Sequence, residues 1–296
     1  MSTCDFKNKI VVLGYGSIAK AVLPLIPSHF STQSQSILVV ARDIPDPQLI
    51  EQLGFSYQEH TLTKTNYQTV LDDLVMEGDL LVNLTAEVSS LDLMQYCTEH
   101  NVLYLDTCIE LWADEIDPDS KTYDERELLL KLQRSVPPQS STALSSMGAN
   151  PGLVSLLTKR LLLLIAHEVG VTQKTPQINE EWALLAKELT VRIIHINERD
   201  TQYTSDPVTA NDFLSTWSVE AMIMESIEAA EMSIGSHEEV LPNGAHYSGK
   251  KNRRDIYFDA SGKDVQIKTW LPQTGEQYGM VLNHNEPMSI AELYSK

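Results

Sequence analysis

Cysteine, basic residues and long apolar runs are all in short supply here, and each shortage closes off a class of function. Cysteine occurs only at Cys4, Cys97 and Cys108 in 296 residues. Their spacings are unrelated, so they form neither a metal knuckle nor an even disulfide set. A reducing, cytoplasmic compartment is the expectation. Lys and Arg number 22 against 41 Asp and Glu, which leaves a formal charge of -19 at pH 7. Nucleic-acid binding needs clustered cations to neutralise phosphates. The densest basic run, Lys250, Lys251, Arg253 and Arg254, is short and isolated and reads as an exposed loop. An acidic protein attracts cationic ligands at long range and repels anionic ones. No run approaches the roughly 18 apolar residues of a membrane span, and Ile10 to Leu13 is too short for the apolar core of a secretion signal. Neither nucleic acid nor a membrane is expected as a partner.

What remains is an ordinary globular mixture, 42% hydrophobic and 21% charged, in a chain long enough for two domains. From Lys9 to about Met147 short apolar runs alternate with stretches of helical period, the pattern of a doubly wound parallel sheet. The strands are expected at Ile10–Leu13, Ile37–Ala41, Leu80–Leu84, Val102–Asp106 and Thr142–Ser146. Crossover helices are expected at Ile18–Ile26, Asn66–Met76, Leu91–His100 and Tyr123–Leu132, with Pro24 able to kink the first.

After Gly148 the character changes. Helices are expected from Pro151 to about His167 and over Glu181–Leu189, then a strand over Val191–Asn197. Asp255–Ala260 and Val265–Leu271 read as a hairpin around Ser261-Gly262-Lys263. The domains predicted are therefore a Rossmann dinucleotide-binding domain at 1–148 and an α+β domain with an antiparallel sheet at 149–296.

The Rossmann assignment rests on Gly14-Tyr15-Gly16-Ser17-Ile18-Ala19, a G-x-G-x-x-A that follows a strand and opens a helix. Gly14 permits the tight turn, Gly16 lets the backbone approach a pyrophosphate held by the exposed amides of Ser17 and Ile18, and Ala19 lets helix and strand pack closely. At the end of the second strand Asp43 suits the ribose of NAD, whereas Arg42 beside it could pair with the extra phosphate of NADP; NAD is the preferred reading. Asn83 and Thr85 at the end of the Leu80–Leu84 strand, and Thr107 after the Val102–Asp106 strand, sit at the carboxyl edge of the sheet where nucleotide binds.

Four stretches, Asp106–Trp112, Met147–Ser155, His195–Gln202 and Asn211–Ser218, together resemble the bacterial homospermidine synthases, which are relatives of the saccharopine dehydrogenases. The resemblance implies an NAD-dependent enzyme that oxidises putrescine to an imine, exchanges a second diamine onto it with loss of ammonia, and reduces the product with the same NADH. It implies a substrate pocket of Glu110, Asn150, Glu198, Trp217, Glu225 and His284. These residue types suit a diamine, whose ammonium groups need anionic or carbonyl partners and whose reacting amine must lose a proton. Glu198 is the candidate for holding and deprotonating that amine. Glu110 and Glu225 would anchor ammonium groups, Asn150 would accept a neutral hydrogen bond, and Trp217 would face the cation. His284 would shuttle protons, its ordinary pKa lying near neutrality. His195, in an apolar stretch, reads as structural. Members of the family run on beyond the position equivalent to Lys296. That leaves open a shortened synthase, one that depends on another chain, or a nucleotide-binding protein without the activity; a homodimer is left open as an assembly. A dehydrogenase of the saccharopine type is the other enzymatic reading, with Arg192 and Arg199 as candidates for a carboxylate clamp.

Overall fold

The computed structural model describes residues 3–86, 88–115, 121–171, 174–198, 203–212, 214–215, 217–249 and 254–294. The chain forms two compact units, Met1–Asp117 with Glu127–Gly148, and Pro118–Arg126 with Ala149–Lys296.

The first unit is built on six parallel strands: β1 (Ile10–Leu13), β2 (Ile37–Ala41), β3 (Ser56–Glu59), β4 (Leu80–Asn83), β5 (Leu103–Asp106) and β6 (Ala143–Leu144). They lie in the order β3-β2-β1-β4-β5-β6. The chain winds outward from β1 in both directions, which puts the topological switch point between β1 and β4. In register, Ile10 to Leu13 pair with Ile37 to Val40 on one side and with Leu80 to Asn83 on the other. Side chains alternate faces along a strand. Val11, Leu13, Leu38 and Val40 accordingly pack against Leu71, Leu74, Leu93 and Met94, while Ile10, Val12, Ile37 and Val39 pack against Leu23, Ile26, Ile50 and Phe55. Full burial of such a side chain contributes roughly 1.5–3 kcal/mol, so this double-faced core dominates the unit's stability.

The covering helices are α1 (Ser17–Val22), α2 (Gln48–Leu53), α3 (Tyr67–Leu74), α4 (Ser90–Glu99) and α5 (Thr122–Ser135). Pro24 does interrupt the first crossover, which passes from α1 through a 3-10 turn at Leu23–Leu25 into a short helical turn at Ile26–His29 that carries Pro27. The third strand and the second helix were among the elements the sequence did not announce. Ser56-Tyr57-Gln58-Glu59 is exposed throughout and has no apolar alternation, because it is the sheet's edge. The six residues of α2 are too few to show a helical period.

The second unit contains α6 (Leu153–Glu168), α7 (Asn179–Glu188), α8 (Val219–Ile227), β7 (Ala229–Ser233), β8 (Ala245–Tyr247), β9 (Asp255–Ser261), β10 (Gln266–Leu271), β11 (Gly275–Met280) and α9 (Glu286–Tyr294). It is α+β, with an antiparallel sheet in the order β8-β9-β7 and a separate β10-β11 hairpin. Leu162 and Ala166 of α6 pack with Trp182 and Leu185 of α7, and Leu293 and Tyr294 of α9 close the cluster.

Two expectations are corrected here. The strands at Asp255–Ser261 and Gln266–Leu271 exist but do not pair with each other; β9 pairs with β7 and β8, and β10 pairs with β11. The Gly262–Asp264 turn that separates them is packed from outside, since a Cβ on Gly262 would lie 2.6 Å from the Val281 carbonyl oxygen. Val191–Asn197 is not a strand. It meets β10 through side chains, His195 Nδ1 and Asn197 Nδ2 lying 3.1 and 3.2 Å from Thr269 Oγ1. No backbone ladder forms there among the described residues.

Candidate active site

The turn from β1 into α1 has the form a dinucleotide loop needs. Gly14 has φ +97°, and a Cβ there would sit 2.5 Å from the Leu84 carbonyl oxygen, so no other residue fits. Its N–H donates to Val40 at 2.7 Å, tying the turn to β2. At Gly16 a Cβ would meet nothing within 4 Å. The space above it is open, as close approach by a phosphate requires. Gly16 is the N-cap of α1 and supplies no side-chain cap, which leaves the first amides of the helix to a ligand. Ser17 and Ile18 are exposed, whereas Ala19 is fully buried against the sheet. Asp43 and Arg42 face solvent side by side, with Arg42 Nε 3.4 Å from Asp43 Oδ1.

The carboxyl edges of β4 and β5 are joined by a buried polar network. Asn83, 2% exposed, turns inward. Its Nδ2 donates to Tyr104 Oη at 3.2 Å, and its Oδ1 accepts from Thr85 N at 3.2 Å and Thr85 Oγ1 at 2.6 Å. Asn83 thus shapes the loop, and Thr85, half-buried, is the residue nearer the surface. Tyr104 Oη donates to Asp106 Oδ2 at 2.9 Å. Burial pushes the Asp106 carboxyl upward against the hydrogen bonds it accepts from Ser146 N, Tyr104 and Ser145. Thr107 is half-buried, with its Oγ1 3.9 Å from Cys108 Sγ. Glu110 is fixed by its backbone, its N–H donating to the fully buried Ser90 Oγ at 3.0 Å, and its Oε1 accepts from Cys108 Sγ at 3.4 Å. Burial, aided by Glu110, pushes the Cys108 thiol far up. Burial alone pushes Cys97 to about 12.

In the second unit His284 stands between two carboxylates. Its Nε2 is 3.4 Å from Glu225 Oε2 on α8, and its Nδ1 is 3.3 Å from Glu286 Oε2 at the start of α9. Burial lowers the pKa of this imidazole, but the hydrogen bonds and charges of Glu225 and Glu286 outweigh it and lift the group to about 10. Standing between the two carboxylates, His284 is held as an imidazolium near neutral pH. Alongside, Asn283 Nδ2 donates to Glu228 Oε2 at 2.7 Å, and Thr122 Oγ1 donates to Asn283 Oδ1. Thr122 N donates to Glu231 Oε1 at 3.1 Å. Glu231, 6% exposed, is pushed up to about 7 by burial, although those bonds from Thr122 and the nearby Lys121 oppose the shift.

The remaining candidates are scattered. Asn150 follows Ala149 just ahead of α6, and its buried Oδ1 has no hydrogen-bond partner among the described residues. Trp217 is half-buried; its N–H donates to Ser215 Oγ at 3.4 Å just before Ser218 caps α8. Glu198 is exposed and ends an irregular segment, not a strand. Arg192 is exposed, while Arg199, Lys250, Lys251 and Arg253 lie outside the described residues. Glu286, Glu231 and Tyr104 were not anticipated. A Glu in the first turn of a helix reads as a partner of the helix dipole, which hides Glu286; only its spacing to His284 hints at more. Among the described residues no group of His, Cys, Asp and Glu could hold a metal ion, and no helix is long and apolar enough to cross a membrane.

Sheet order, open glycine turn and uncapped helix define the first unit as a Rossmann-like fold. Residues 10–144 match the family model of the saccharopine dehydrogenase NADP binding domain. The chain as a whole is similar to homospermidine synthases. It is 37% identical over 292 residues to the homospermidine synthase of Blastochloris viridis, covering 96% of this chain and 61% of that one. With the homospermidine synthase of Mesorhizobium japonicum it shares 35% identity over 302 residues, covering 98% and 62%. The crystal structure of the homospermidine synthase of Legionella pneumophila in complex with NAD matches with a TM-score of 0.90 at 31% identity, over 99% of this chain and 62% of that chain. The chain therefore spans about three fifths of the length of these relatives.

Proposed function

We propose that the protein is a homospermidine synthase that binds NAD and joins two putrescine molecules with release of ammonia. The observation that carries the reading is the pair of carboxylates around His284. With the imidazole protonated, Glu225 and Glu286 leave one negative charge in excess in a part-buried place, which suits an ammonium group. Sequence identity along nearly the whole chain supports the same substrate class.

The residues present fit NAD: Gly14 clears the turn, Gly16 leaves room for the pyrophosphate, and the first amides of α1 are uncapped. A bound NAD would supply the hydride acceptor for oxidation of the reacting amine and the hydride donor for reduction of the exchanged imine. Asp43 would hold the adenosine ribose, and Thr85 and Thr107 would line the nucleotide edge. Glu225 and Glu110 would hold ammonium groups, and Asn150 would offer its unpartnered Oδ1 to an amine N–H. Glu198 would take the amine proton before the hydride leaves, His284 would pass protons, and Trp217 would face the cationic carbon–nitrogen bond.

The reading includes a reducing compartment, in keeping with the unbridged thiols Cys4, Cys97 and Cys108. It includes a homodimer too, for which the exposed leucines of α6 offer apolar surface and which sedimentation velocity would report. The decisive experiment is to incubate the protein with putrescine and NAD and measure homospermidine, ammonia and NADH. Homospermidine and ammonia in equal amounts without accumulation of NADH are expected. Absence of both products in a protein that binds NAD would remove the synthase reading.

A further inference from the structure

The polar groups beneath the sheet edge are all used, and they are used in one direction. Thr85 donates to Asn83 Oδ1, Asn83 Nδ2 donates to Tyr104 Oη, and Tyr104 donates to Asp106 Oδ2. Asp106 then accepts from Ser145 Oγ at 2.9 Å through Oδ1 and from Ser146 N at 2.6 Å, while its carbonyl accepts from Met147 N at 2.9 Å. Asn83, Tyr104 and Asp106 are 2%, 1% and 1% exposed. Buried chains of this kind act as units, because one missing partner leaves the next group desolvated and unpaired. Tyr104 is the middle link, and its hydroxyl can neither turn nor be replaced by water without breaking both neighbours. At one end stands Thr85, on the loop that also crowds Gly14 through the Leu84 carbonyl. At the other end the segment 145–147 leads through Gly148 and Ala149 to Asn150.

We propose that Tyr104 is a positioning residue that couples occupancy of the nucleotide loop to the placement of the segment leading to Asn150, so that NAD tightens the binding of the diamine. The inference rests on the cofactor and substrate readings above. Neither end of the chain needs to move far: fixing Thr85 against a bound nucleotide fixes Asn83, and the register of 145–147 follows through Tyr104 and Asp106.

The test is a thermodynamic cycle by calorimetry, measuring putrescine affinity with and without saturating NAD. In the unsubstituted protein NAD is expected to tighten putrescine at least fivefold. Tyr104→Phe keeps the ring and removes the hydroxyl's hydrogen bonds to Asn83, Asp106 and Ser90. It should bind NAD within twofold of the unsubstituted protein, yet lose the enhancement to below twofold. Ser145→Ala, at a less buried link, should reduce the enhancement in the same direction and serves if Tyr104→Phe does not fold. An undiminished enhancement in a folded Tyr104→Phe, or in Ser145→Ala if Tyr104→Phe fails to fold, overturns the coupling and leaves the synthase reading standing. An unsubstituted protein that binds no NAD, or no putrescine, overturns the readings beneath it together with the coupling.

Discussion

The two units hide their apolar side chains to very different degrees. Every residue of β1 is buried, and both faces of its sheet are covered. In the second unit only two residues of the sixteen-residue α6, Leu162 and Ala166, are fully buried, while Leu153, Leu156, Leu157, Leu161 and Leu164 are 48 to 57% exposed. Trp270 and Tyr278 on the β10-β11 hairpin are exposed at 61% and 73%. A two-stranded hairpin and a leucine-rich helix face are marginal in water without a covering layer. The first unit is thus a finished core that presents a nucleotide edge, and the second carries its polar chemistry on a looser frame.

The largest expected effect strikes the finished core. Gly14→Ala would drive a methyl group into the Leu84 carbonyl at a backbone angle that L residues avoid, and should cost about 3–4 kcal/mol, read as a fall in the midpoint of urea unfolding. A change confined to the second unit would break the comparison. Next comes Glu231. Its folded pKa of about 7 lies above the ordinary value of 4.5, so the protonated group contributes stability that is complete below about pH 4.5 and lost as pH rises through 7. Glu231→Gln should flatten that slope and stabilise the protein by about 2–3 kcal/mol at pH 8, with no gain at pH 4. An unchanged slope would show that Glu231 is not the group responsible. Gly16→Ala leaves the fold alone, since its added methyl meets empty space, but should weaken NAD about tenfold, or ~1.4 kcal/mol, by fluorescence titration. The smallest effect belongs to the exposed leucines: Leu157→Lys should alter the stability of the single chain by no more than about 0.5 kcal/mol while weakening the self-association read by sedimentation velocity. A large loss of stability would mean that the α6 face is packed after all.

The same contrast explains what was legible in the sequence. Ile10-Val11-Val12-Leu13 and Ile37–Ala41 declare a doubly covered sheet because both faces demand apolar residues. The glycine turn was legible because Gly14 tolerates no alternative. Ser56–Glu59 was silent, since an edge strand needs no such pattern. In the second unit Ala229-Ala230-Glu231-Met232-Ser233 carries a buried carboxyl in mid-strand, which reads as polar surface. The apparent hairpin failed because alternation reveals that β9 and β10 are strands without saying which strands they pair with. Glu225 and His284 were picked out through the family resemblance, but Glu286, the second carboxylate beside His284, is distinguished by no local pattern.

Burial of two of the three thiols has a practical consequence. Cys97 and Cys108, held far from ionisation, react slowly with alkylating or oxidising reagents, whereas Cys4 is exposed. A maleimide dye should therefore settle on a single position at the start of the first unit, giving a ready-made fluorescent handle without engineering of the chain.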